Sequence, residues 1–322
     1  MGDTVEIYLS YSGPGPRLAH RVAETLDLTG YFHSGEGYVF PVDARPLIGV
    51  DGWGQLTLDA VDRDPDAGFG DGAGSDEEVT AYAPYGFELS LDFRGPQEQL
   101  GRAIFDRLTG LDLSMAYGDY LRILADFRPQ RGTREFPPDT PADGTGQRVW
   151  SDLTPAAAPS GDPLVSGGPT TGGRVAVFDT GTLLQIVPMV ADDGRWRWSG
   201  PVASVLRTLG DDDLGVVLDA ALHPRVGSGH VGREVIESAA LTSRLSVEDL
   251  LRGRGSIEVR VESGEWVAVA CGPSPVVGDA PGPVIDGLVG GHSADAPPEA
   301  LGGLVRDLLD QLAARLGATG RS

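Results

Sequence analysis

The chain has 322 residues, 25 of them basic and 47 acidic, for a formal net charge of −22. Every one of the basic residues is an arginine, and the pI is near 4.4. A surface this negative repels nucleic acid and anionic membranes and draws in basic protein partners. Without lysine there is no Walker-type phosphate loop, no Schiff-base chemistry, no kinase strand lysine and no Ser-x-x-Lys nucleophile.

The opening residues MGDTVEIYLS lack the basic and apolar regions of a secretion signal, and no apolar run reaches the roughly 18–20 residues of a membrane span, so a cytoplasmic, non-membrane protein is expected. Val5, Ile7, Leu9 and Tyr11 alternate with Glu6, Tyr8 and Ser10, the period of a strand with one buried face. The Gly13-Pro14-Gly15-Pro16 break leads into a helix with Leu18, Val22 and Leu26 inward and Arg17, His20, Arg21 and Glu24 outward. Short strands follow at Gln55–Asp59 and at Phe87–Arg94, the second with Phe87, Leu89, Leu91 and Phe93 on one face. Gly95-Pro96 ends it, a helix follows through Leu100, Ile104 and Leu108, and residues 121–127 alternate as a closing strand.

The segment from Leu9 aligns without gaps to the segment from Leu91, with Leu9/Leu91, Gly13/Gly95, Pro14/Pro96, Leu18/Leu100 and Leu26/Leu108 identical. Two β-α-β halves in series predict a ferredoxin-like (βαββαβ) α+β domain over residues 1–128. Residues 129–172 are rich in Pro and Gly and read as a linker. A second α+β domain with an antiparallel sheet is predicted over 173–322. Its strands are expected at 174–179, 183–190 and 195–198, with a helix over 201–209 and another over 214–222. A further short helix opens at Ser246, a hairpin turns at Ser263-Gly264, a Pro/Gly segment spans 272–298, and a terminal helix carries Leu301 to Leu316.

The motifs that carry chemistry are weak. Gly227-Ser228-Gly229-His230-Val231-Gly232 matches G-x-G-x-x-G in letters, but a helix precedes it where a dinucleotide site needs a strand. The acid-rich loop from Asp62 to Glu78 departs from an EF-hand at Ala67, where glycine is needed, and at Ala73, where a bidentate glutamate is needed. The five histidines show no metal-ligand spacing and Cys271 reads as a buried thiol, so neither a catalytic residue, a metal nor a cofactor is expected. The residues that point to a partner are the loop acids Asp62, Asp64, Asp66, Asp71, Asp76, Glu77 and Glu78, with Trp196 and Trp198 as apolar anchors. The pattern favours an acidic intracellular protein that binds a basic protein, in its most concrete form an immunity protein neutralising a bacterial toxin. An enzyme with a carboxylate or arginine site and a small-molecule-sensing module are the competing classes.

Overall fold

A computed structural model describes residues 5–35, 37–61, 85–119, 122–136, 164, 173–193, 195–223, 230–253, 255–273 and 284–319. The chain forms two compact units, one of Met1–Gly15 with Glu36–Leu164 and the other of Pro16–Gly35 with Val165–Ser322. It opens with strand β1 (Val5–Leu9) in the first unit, then places helix α1 (Gly15–Thr25, all but its first residue) and strand β2 (Gly30–His33) in the second.

The first unit continues with β3 (Tyr38–Asp43), the short helix α2 (Arg45–Ile48), β4 (Trp53–Ala60), β5 (Phe87–Phe93), α3 (Gln97–Leu108), β6 (Met115–Asp119), β7 (Arg122–Arg128) and β8 (Gly132–Glu135). Its strand order is β3-β4-β5-β1-β6-β7-β8, and each neighbouring pair is antiparallel. One face is apolar because the strands alternate. Val5, Ile7 and Leu9 of β1, Leu56 and Leu58 of β4 and Leu89 and Leu91 of β5 are all buried on it, as are Leu100, Ile104, Phe105 and Leu108 of α3. Gly101 lets α3 sit close to β1, since a Cβ there would lie 2.4 Å from Val5 Cγ1.

The ferredoxin-like expectation is not confirmed. A split βαβ places both its helices on one sheet, whereas the helix that follows β1 belongs, all but its first residue, to the second unit. The polar side chains of the helix after β1 are committed within the second unit. Arg21 Nη1 donates to the carbonyl of His223 at 3.1 Å, and Arg17 Nη2 meets Asp219 Oδ2 at 3.2 Å. The two look-alike segments share a strand–turn–helix pattern, and their strands are antiparallel neighbours, with Val5 opposite Leu91 and Leu9 opposite Phe87.

The second unit adds β9 (Arg174–Asp179), β10 (Leu183–Asp192), β11 (Arg195–Trp198), β12 (Val202–Leu206), α4 (Asp211–Leu222), α5 (Arg233–Thr242), α6 (Val247–Arg252), β13 (Ser256–Glu262), β14 (Glu265–Cys271), β15 (Val284–Ser293) and α7 (Pro298–Thr319). The order is β15-β14-β13-β9-β10-β12-β2, with β11 paired to β10. Every pair is antiparallel except β12 with β2, which runs parallel. α5 and α6 cover the face bearing Ala176, Phe178, Val187 and Met189, and α4 and α7 pack on each other and on the sheet. The predicted antiparallel α+β architecture is therefore present, with two local corrections. Residues 202–206 form a strand, because a short apolar run buried on both sides fits a central strand as well as a helix. The Pro/Gly segment also contains the strand β15. The hairpin between β13 and β14 turns at Ser263 and Gly264, whose φ values of 51° and 80° are both left-handed.

Candidate functional site

Asp62, Asp64, Asp66, Asp71, Asp76, Glu77 and Glu78 lie outside the described residues. What is described is their stem. Residues 62–84 join β4 to β5 in sequence, and beside them the Val61 amide donates to the Gly86 carbonyl at 3.1 Å. Of the two tryptophans, Trp198 has no exposed surface and fills the core beside Phe178, ring centroids 5.9 Å apart. Trp196 is half-buried against the same core, with the Arg174 guanidinium 4.3 Å above its ring.

The stem strands belong to a continuous acidic surface. Period-2 alternation sends Leu56, Leu58, Leu89 and Leu91 to the core, so Trp53, Gln55, Thr57 and Asp59 of β4 share the opposite face with Glu88, Ser90 and Asp92 of β5. The pairing register extends this face in both directions. Asp43 of β3 stands opposite Trp53, Asp92 opposite Gln55, Glu88 opposite Asp59, and Glu6 of β1 opposite Ser90. Five carboxylates, from Glu6, Asp43, Asp59, Glu88 and Asp92, thus occupy one face of four adjacent strands whose sequences contain no arginine or histidine.

Local hydrogen bonds hold several of these groups. Tyr8 Oη donates to Glu6 Oε2 at 2.7 Å and Ser90 Oγ to Glu88 Oε1 at 2.8 Å, while Asp43 Oδ1 accepts from the Arg45 amide at 3.0 Å. Partial burial pushes the Glu88 carboxyl above the usual carboxylate range; the Ser90 hydrogen bond opposes this, and the neighbouring Glu6 and Asp59 carboxylates add to it. Beyond β1 the character changes. Tyr8, Tyr85, Ala116 and Ile123 form a small apolar cluster, and then buried Asp126 of β7 accepts from Arg131 at 2.7 Å and from Arg134 at 3.0 Å. The acidic field ends at that divide.

Sequence reasoning placed other charges wrongly. His20, Arg21 and Glu24 are buried rather than outward. Arg21 Nη1 donates to Glu24 Oε2 at 2.5 Å, His20 Nε2 lies 3.8 Å from Glu24 Oε1, and Tyr31 Oη shares a 3.4 Å hydrogen bond with His20 Nδ1. Burial drives the His20 imidazole down to about 4, so it is neutral at physiological pH. The cluster sits under the helix surface and reads as a structural tie within the second unit. Cys271 is buried as expected, and its thiol is pushed up to about 11 by that burial, which removes it as a nucleophile. His230 and Gly232 of the glycine motif flank α5, and Gly227, Ser228 and Gly229 lie outside the described residues. Among the described residues no group of three or more His, Cys, Asp or Glu is placed to hold a metal ion, and no helix is long and apolar enough to cross a membrane.

No protein-family model and no curated protein matches this chain. Among solved structures it is similar to a protein of unknown function from Neisseria meningitidis, at 13% identity over 46% of this chain and 99% of that one. The TM-score is 0.36. A likeness at that level carries no argument about fold or function.

Proposed function

We propose that this is an acidic protein-binding protein whose first unit receives a basic partner on the β3-β4-β5-β1 face and on the acid-rich sequence 62–78 that follows β4. The observation that carries the reading is the set of five carboxylates on four strands with no cationic side chain among them. Such a face is costly to the free protein. Carboxylates about 7 Å apart on neighbouring strands repel by roughly 0.6 kcal/mol in water-like surroundings and about 2 kcal/mol under protein-surface screening. A cationic partner relieves that repulsion on binding, which is how a charge-steered interface gains both rate and specificity. The loop adds seven carboxylates against the single Arg63 between residues 62 and 84, in direct covalent continuity with Asp59 and Glu88.

The finer form of the reading is an immunity protein, in which the basic partner is a toxic enzyme such as a nuclease whose own substrate is an anion. An acidic face of this kind occupies the cationic surface that such an enzyme needs for its substrate. The test is inhibition: a basic nuclease toxin mixed with the protein should lose activity at a one-to-one ratio, and the inhibition should weaken as salt rises. Inhibition that does not change with salt, or that requires a large excess of protein, contradicts this form of the proposal.

A further inference from the structure

We infer that Trp53 is the anchor of this interface and that its indole receives an arginine or lysine side chain of the basic partner. The inference rests on the acidic-face reading and names the contact at its centre. Trp53 is 72% exposed, the most exposed aromatic among the described residues. A free protein gains nothing by holding an indole out in water at the start of a strand, because burying its large apolar area is among the strongest contributions an interface residue makes.

The surroundings are dominated by carboxylates, with one exposed arginine, Arg94, directly after β5. Asp43 stands directly opposite Trp53 in the β3–β4 ladder, and Asp92 lies one pair further along, opposite Gln55. An indole flanked by carboxylates offers a π-face and counter-charges to the same head group, a combination that suits a guanidinium or ammonium and repels an anion. Among the described residues arginine stacks on the aromatic rings of Phe105, Phe136 and Trp196, but none stacks on Trp53. The nearby Arg45 is directed instead to Asp51, 3.5 Å away. Trp53 also lies on the same face as Asp59 and Glu88, so a partner following the acidic stem reaches it without leaving the sheet.

The experiment uses the full chain and a capped hexa-arginine peptide, with hexa-lysine alongside, and measures affinity by calorimetry over a range of salt. Trp53→Ala should weaken binding about fivefold or more, and Trp53→Phe by less, while the salt dependence stays as in the wild type. The melting temperature should not move, because the side chain is exposed. In the wild type the indole N–H resonance that disappears in Trp53→Phe should shift on peptide addition, a response that long-range charge attraction alone does not produce. Salt-dependent wild-type binding that Trp53→Ala leaves unchanged overturns the anchor and leaves the acidic face standing. Failure of the wild type to bind either peptide overturns the acidic-face reading and the anchor with it.

Discussion

Two side chains test the electrostatic account at the scale of single residues. Glu88 titrates above the usual carboxylate range, so the folded protein holds its proton more tightly than the unfolded chain does. A raised carboxyl costs stability above its folded pKa and costs nothing below the unfolded value. Glu88→Gln should therefore stabilise the protein at pH 7, with the gain fading as the pH falls through the carboxylate range. The same substitution should weaken binding of a basic partner, so that stability and affinity move in opposite directions; urea titrations at pH 4 and pH 7 beside a binding isotherm would show it. His20 has the opposite chemistry. Its folded value is about 4 against 6.5 for a free imidazole, so the unfolded chain takes up the proton first. Stability should fall as the pH drops from about 6.5 to about 4, by roughly 3 kcal/mol in all, and His20→Gln should flatten that part of the profile.

Elements are held by close approaches as much as by burial. α4 and α7 meet where a Cβ on Gly215 would lie 1.8 Å from the Pro298 carbonyl oxygen and one on Gly302 would lie 2.0 Å from that of Asp211. Both neighbours are backbone, so neither can yield as a flexible side chain would. Gly302→Ala should cost about 1–3 kcal/mol in chemical denaturation, whereas the same change in an unobstructed helix stabilises by about 1 kcal/mol. At α6 the Ser246 hydroxyl accepts from the Asp249 amide at 3.0 Å, so Ser246→Ala should lose about 1 kcal/mol by the same measurement. These elements also show what the sequence could carry. Strong alternation gave β1, β5, β13 and β14, and a capping serine with acids in the first turn gave α6, because those signals depend only on neighbouring residues. The strand at Val202–Leu206 was illegible because its register is set by the parallel partner β2, far away in the chain. α1 misled for a related reason: polarity alone sends Arg21 and Glu24 to solvent, whereas the His223 carbonyl and their mutual pairing help hold them as buried residues. The acidic face was half legible. Its alternating acids are visible strand by strand, but that β1, β3, β4 and β5 lie side by side follows from pairing that no local pattern records.

At the scale of the whole molecule, the net charge of −22 would by itself attract any cation, so the account needs more than weak, diffuse attraction. Its central claim is that binding is localised to one face of the first unit. Two variants that remove the same number of charges separate the alternatives. The first neutralises the face through Glu6→Gln, Asp59→Asn, Glu88→Gln and Asp92→Asn. The second neutralises four exposed acids of the second unit through Glu237→Gln, Glu248→Gln, Asp295→Asn and Glu299→Gln. Affinity for a basic protein is then measured at one fixed ionic strength. The account predicts that the face variant loses at least about tenfold in affinity while the equal-charge control stays within about twofold of the wild type. Equal losses in the two variants would contradict it, and would leave net charge without a site.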